Sequence, residues 1–215
     1  MRYPSTQQPL VIKLINRLGR GLRAIGIAVP SLSPQSLLSK AKNQTGLNDF
    51  GDESFLPALN RLCQSLDREA KLSQIGRIAA QGMLIDNLKI RLQLTDYRKQ
   101  RPEVAQKNIQ RPLFVLGLPR TGTTILYELL AQDPAHRSPV SWEVSQPMPP
   151  AHQDTFSSDP RIAEVEKVLQ KTEILAPGFK AIHEIGSQLP QECVAILASH
   201  FISDQYGATF FIPQY

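Results

Sequence analysis

The sequence predicts an α/β protein that is mostly helical over its 215 residues. A helical region is expected over 1–111, followed by the first part of an α/β domain over 112–215. Three observations predict this. Apolar residues recur three and four apart through the first hundred positions, the period of helices with one buried face. At Pro112 the texture changes to a short continuous apolar run, Leu113-Phe114-Val115-Leu116, which suits a strand buried on both faces of a parallel sheet. A glycine-bounded loop and a further helical pattern follow it directly, the order of a strand–loop–helix unit.

In the first region, Val11, Ile15, Leu18, Leu22 and Ile25 fall on one helix face, with Lys13, Arg17 and Arg20 opposite. Docking of that apolar face on the protein's own core is the expected arrangement. A basic amphipathic helix over residues 10–27 also has the make-up for weak peripheral contact with a membrane. Ser33 before Pro34 suits a helix start, and Gly46 a helix end. Phe55, Leu59, Leu62 and Leu66 mark the next helix. Leu72, Ile75, Ile78, Leu84, Leu88 and Leu92 mark another, with Gly76 and Gly82 as places to bend. The polar, basic stretch Tyr97–Pro112 reads as a connector. Beyond the loop, Ile125, Leu126, Leu129 and Leu130 repeat at helical spacing up to Asp133-Pro134. A proline-rich stretch over 134–150 follows. One helix starts at Asp159-Pro160 with Ile162, Val165 and Leu169 inward. A last one starts near Pro190, with Cys193, Ile196, Leu197, His200 and Phe201 on one face.

Composition narrows the class. Hydrophobic residues make up 41% and charged residues 20%, as in a globular domain. No apolar run reaches the length of a spanning helix, and the N-terminus lacks a signal-peptide layout. Cys63 and Cys193 stand far apart with no metal-ligand spacing, which predicts buried thiols in a reducing, cytoplasmic compartment. The four histidines are scattered, so no metal is expected. Residues 1–111 hold 18 Lys and Arg against 8 Asp and Glu, whereas 112–215 hold 6 against 11. The basic residues are spread out rather than bunched, which predicts a solvated helical surface and no nucleic-acid partner.

The chemistry lies in the loop Gly117-Leu118-Pro119-Arg120-Thr121-Gly122-Thr123-Thr124. Gly117 and Gly122 have the spacing of a loop whose amides cradle a phosphate at a helix start. The Thr123 and Thr124 hydroxyls add donors. A nucleotide hydrolase carries lysine after the second glycine, where this chain has Thr123. The cation sits inside the loop instead, at Arg120, whose guanidinium offers a planar fork to a tetraoxo anion. ATP or GTP hydrolysis is therefore disfavoured. Glu143, in Ser141-Trp142-Glu143, is expected at the end of the next strand, where ligands of open α/β sheets sit. A pairing with Arg137 is its plainer role. Trp142 is either an acceptor platform or core.

The strand-GxPR[ST]GTT-helix pattern resembles the 5′-phosphosulfate loop of the sulfotransferase superfamily, in the arginine form of the bacterial sulfotransferase family and of tyrosylprotein sulfotransferases. The likeness continues through Thr45-Gly46-Leu47, Asp49-Phe50-Gly51, Arg91-Leu92, Asp133-Pro134, Arg137, Ser141-Trp142-Glu143, His183-Glu184 and Pro190-Gln191-Glu192-Cys193. It implies a P-loop-like parallel sheet core and transfer of a sulfuryl group from 3′-phosphoadenosine 5′-phosphosulfate (PAPS) to a hydroxyl or amine. The acceptor would be a small molecule, a lipid or a sugar. By this likeness residues 117–124 hold the 5′-phosphosulfate, with Arg120 on the developing charge. Glu143 resembles the glutamate base of tyrosylprotein sulfotransferases, and His183 is the rival, after the histidine base of cytosolic ones. Relatives continue well beyond residue 215, so the chain is expected to be an N-terminal piece that exposes apolar surface and binds donor poorly. The competing readings are a P-loop protein of nucleotide binding or phosphoryl transfer, and a noncatalytic helical module that binds anions through 1–111.

Overall fold

The computed structural model describes residues 10–25, 29–118, 121–175 and 184–215, excepting the side chains of Arg23 and of 172–175. The chain divides into two compact units, one of residues 1–96 with 194–215 and one of residues 97–193. Among the described residues there is no β-strand, only one isolated bridge, and no helix is long and apolar enough to cross a membrane.

The first unit is a helical cluster of α1 (Leu10–Ala24), α2 (Pro34–Thr45), α3 (Leu56–Arg68) and most of α4 (Gln74–Gln100), joined by 194–215. Helix α2 starts and stops where the sequence places it. Ser33 Oγ accepts from Ser36 N at 3.3 Å, Pro34 fills the first turn, and Gly46 closes the helix at φ 71° with its N–H on Lys42 O. Leu59, Leu62 and Leu66 of α3 pack with Leu84, Leu88 and Leu92 of α4 in one core, as their spacing predicts. Helix α4 runs on through Gly76 and Gly82 and takes in Tyr97–Gln100, read from sequence as connector. Its Gln74, Arg77 and Gln81 donate to the carbonyls of Val29, Pro30 and Ser31 at 2.5–2.6 Å, strapping that segment along the helix.

Arg91 is the polar centre of this unit. It is buried, and its guanidinium lies 4.2 Å from the Phe55 ring centroid. Its Nε donates to Phe50 O at 2.8 Å, and Nη2 donates to Asp52 O. Nη1 lies 3.2 Å from His200 Nδ1. Burial, and then the Arg91 charge, holds His200 below its ordinary 6.5, which suits a neutral ring accepting from the guanidinium. The Asp49-Phe50-Gly51 and Arg91-Leu92 segments, far apart in sequence, thus meet at one point. The 194–215 segment is fastened by Tyr206, whose hydroxyl accepts from Asn87 and donates to Ala198 O, both at 2.8 Å.

Two expectations fail here. The apolar face of α1 is mostly undocked: Val11 is 67%, Leu18 62% and Ile25 70% exposed, while Ile15 is half-buried. The helix is held by a different edge, where Asn16 Oδ1 accepts from Ile75 N at 3.0 Å and Gly19 makes room for Gln74. The thiols also differ from expectation. Cys63 is buried, and burial pushes it up to about 12, but Cys193 is exposed because the helix bearing it turns that face outward.

The second unit contains the short helix α5 (Thr123–Leu130), the single turn α6 (Ser141–Ser145) and α7 (Pro160–Leu175). Helix α6 packs on α7, and Val165 points inward as its spacing predicts. Arg161, in the first turn of α7, organises the proline-rich stretch. It donates to Gln146 O at 2.7 Å and Pro149 O at 2.6 Å, forks onto Asp159, and lies 4.6 Å from the Trp142 ring centroid. Trp142 is buried against Phe156 at 5.2 Å, so it is core rather than an open platform.

Replacing Arg91 with Met leaves the Phe50 and Asp52 carbonyls unpaired. The Arg91→Met chain should lose about 3 kcal/mol in urea unfolding followed by circular dichroism. In the second unit, the Arg161 hydrogen bonds hold the Asp159 carboxyl down to about 2, from an ordinary 3.8. A depressed carboxyl stabilises the fold fully above its unfolded value, and that contribution vanishes as pH falls through the folded one. Trp142 is the chain's single tryptophan. Its fluorescence in urea titrations should report a loss of stability between about pH 4 and 2 that is smaller in Asp159→Asn.

Candidate functional site

The apolar run that leads into the loop does not form the predicted strand. Leu113 to Leu118 have no regular secondary structure, and Leu116 and Leu118 are 89% and 77% exposed. A strand needs a neighbour for its amides and carbonyls, and none pairs with this run among the described residues. The segment before Glu143, where the next strand is expected, is engaged elsewhere. Val140 bridges Pro190 in antiparallel sense, Ser141 N donates to Leu189 O at 3.0 Å, and Trp142 N donates to Ser187 O at 2.8 Å.

The loop itself is a tight turn. Thr121 donates to Leu118 O through both N, at 3.3 Å, and Oγ1, at 2.7 Å. At Gly117 a Cβ would stand 2.6 Å from Thr123 Cγ2 and 2.8 Å from Thr121 Oγ1, so a larger residue would force both threonine side chains to shift. Gly122 sits at φ 91° and passes the chain into α5 without a side-chain cap on the helix. The amides of the first turn of α5 and the positive end of its dipole are therefore offered at the loop. Pro119 and Arg120 lie outside the described residues, as does His183.

Behind the loop, α5 is fixed to the 187–192 segment. Thr124 Oγ1 donates to Glu192 Oε1 at 3.2 Å, and Tyr127 OH donates to Gln191 O at 3.0 Å. Burial raises the Tyr127 phenol above its usual range, so it stays a donor. On the other side of α5, Ile125, Leu126 and Leu129 are exposed. With Leu113, Phe114, Leu116 and Leu118 they give the loop and its two flanks a large apolar surface.

Glu143 does not end a strand. It lies in α6, which begins directly after the Val140 bridge. Its Oε1 accepts from Arg137 Nη2, and its buried Oε2 has no hydrogen-bond partner among the described residues. The carboxylate is therefore oriented by one cation with one oxygen left over. Arg137 also lies 5.8 Å from the Phe156 ring centroid. A cavity of about 880 Å³ opens beside it, lined among others by Glu128, His136, Arg137, Phe156, Glu184 and Gln188. None of the described residues of 117–124 lines it, whereas Glu128, Ala131 and Gln132, toward the C-terminal end of α5, do. Among the described residues no three His, Cys, Asp or Glu side chains gather as metal ligands.

Two side chains matter here that carried no role in the sequence reading. Glu192 ties Thr124 to its support, and Arg161 sets the Trp142 turn that carries Glu143. The Asp159-Pro160-Arg161 helix start was the one available signal for the second.

No curated protein matches the chain. The family model of the sulfotransferase family matches residues 112–215. Among solved structures, sulfotransferase STF1 from Mycobacterium tuberculosis H37Rv is similar at 31% identity and a TM-score of 0.73, over 84% of this chain and 50% of that one. Sulfotransferase STF9 from Mycobacterium avium is similar at 27% identity and a TM-score of 0.73, over 87% and 48%. The chain thus spans about half the length of the solved chains it matches. The segment 112–215, with the loop and its helix at its start, is thus the part of the chain that is similar to the sulfotransferase family.

Proposed function

We propose that this chain supplies the 5′-phosphosulfate seat of a sulfotransferase that moves a sulfuryl group from PAPS to an acceptor hydroxyl or amine. The observation that carries this reading is the Gly117–Gly122 turn opening into the uncapped start of α5, within the segment that matches the family. The fit is chemical as well as geometric. Free amides, a helix dipole and the Thr123 hydroxyl suit the anionic phosphosulfate, whereas the Thr124 hydroxyl, expected to add a donor, is turned to Glu192 instead. The space at Gly117 that a Cβ would fill brings the backbone close.

In the transfer, the bond from sulfur to the bridging phosphate oxygen breaks as the acceptor oxygen bonds to sulfur. Adenosine 3′,5′-bisphosphate departs and the acceptor proton passes to a base. Arg120 is assigned to the charge that gathers on the bridging oxygen, where pre-aimed donors count most. Glu143 is assigned as the base. Arg137 holds one of its oxygens, and the other has lone pairs free for a proton. His183 is the alternative base. The apolar row 113–116 is assigned to a parallel sheet whose other strands come from outside these 215 residues, which accounts for the exposed leucines and Phe114. Activity requires that cover. The acceptor is a small molecule, a lipid or a sugar. The free thiols favour a reducing compartment such as the cytoplasm.

The reading is tested by thermal shift of the chain with adenosine 3′,5′-bisphosphate, ATP and an oligonucleotide. Stabilisation by the bisphosphate alone is expected, and Arg120→Ala should lose it. An equal response of Arg120→Ala would remove Arg120 from the seat. In a preparation that turns over donor, Glu143→Gln should lower kcat by about 10²–10⁴-fold and His183→Gln by far less. The reverse order would make His183 the base.

A further inference from the structure

We infer that α1 is a membrane-surface element, and that the face it presents is made for an anionic lipid bilayer. The inference stands on the first unit alone and is independent of the sulfuryl-transfer reading. At about 100° per residue, the side chains of α1 and Ile25 divide into three sectors. One holds the less exposed residues Ile12, Ile15, Asn16 and Gly19, and through Asn16 and Gly19 it meets Ile75 and Gln74. A second holds Leu10, Leu14, Ile25, Leu18, Val11 and Leu22 within an arc of about 120°, all exposed. The third holds Arg20, Lys13 and Arg17, also exposed, and it adjoins the apolar arc at Leu10.

The edge of α1 opposite its docked sector is therefore shared between an apolar stripe and a basic one. Six large apolar side chains open along a single helix exceed the scattered exposure normal for a soluble surface. Apolar and Lys/Arg-rich faces on one helix are the composition of segments that lie in the bilayer interface. The long basic side chains reach headgroup phosphates while the leucines enter the acyl boundary.

The charge selects the occupant. Helix α1 has Lys13, Arg17, Arg20 and Arg23 and no acidic residue, and no acid occurs anywhere before Asp49. A second copy of the chain would bring an equally basic stripe against this one, which like charges oppose. An anionic lipid surface meets both sectors at once. The fixed edge at Asn16 and Gly19 lets the helix bind without leaving its own unit.

The test is co-sedimentation of the full 215-residue chain with vesicles of equal parts phosphatidylglycerol and phosphatidylcholine, and with pure phosphatidylcholine vesicles. The chain should partition at least tenfold more onto the anionic vesicles, and high salt should reduce that binding. Leu14→Ser/Leu18→Ser and Lys13→Glu/Arg17→Glu/Arg20→Glu should each lower it at least tenfold. Every substituted site is exposed, so the circular-dichroism melt of each variant should match the native chain and show that lost binding is not unfolding. Equal binding to both vesicle types, or native-like binding by either variant, overturns the inference. So does sedimentation velocity showing a dimer that Leu14→Ser/Leu18→Ser dissolves while native chain ignores the vesicles.

Discussion

Everything assigned to the site rests on one steric feature: the backbone at Gly117 lies so close to the Thr121 and Thr123 side chains that an added Cβ would force them to shift. That approach turns the chain within a few residues and delivers it, through the left-handed Gly122, to the start of α5. A looser turn would separate the loop amides from the helix dipole, and the two act on an anion only when they converge. The hydrogen bonds from Tyr127 and Thr124 to the 191–192 segment matter because they fix the far side of the same helix.

The second governing feature is apolar surface without cover. Leu113, Phe114, Leu116 and Leu118 precede the loop, and Ile125, Leu126 and Leu129 follow it, all open to water. Each such side chain forgoes about 1.5–3 kcal/mol of burial, so the surface is made for a neighbour. The open apolar arc of α1 has different surroundings. There the apolar arc adjoins a basic one, whereas the loop unit sits in the acidic half of the sequence. Apolar exposure states that something binds; the charge beside it indicates what.

Much of the first unit was legible because its signals are local. The Ser33-Pro34 start and Gly46 end of α2 follow from capping chemistry, and the α3 and α4 cores follow from period. The start of α7 at Pro160 was legible for the same reason. Failures came where a partner decides the outcome. Residues 113–116 read as a strand, yet a strand exists only with a neighbour, and the segment at 140 pairs with 190 instead. Glu143 was expected at a strand end for that same reason and stands in a helical turn. The docking edge of α1 was only partly visible: Ile15 belongs to the predicted face and is half-buried, but the contacts at Asn16 and Gly19 carry no hydrophobic period. Of the site, the turn and its helix were readable from two glycines and two threonines; the Arg161 framework beneath Glu143 was not, since its partners are backbone carbonyls.

The most direct test of the steric claim is residue-resolved NMR of the amides of 121–124 during titration with adenosine 3′,5′-bisphosphate, which registers even millimolar binding. Native chain should show saturable shifts confined to the loop and the first turn of α5, and Gly117→Ala, whose added methyl meets Thr121 and Thr123, should show none. Equal titration of Gly117→Ala, or native amides that stay unmoved, would contradict the account.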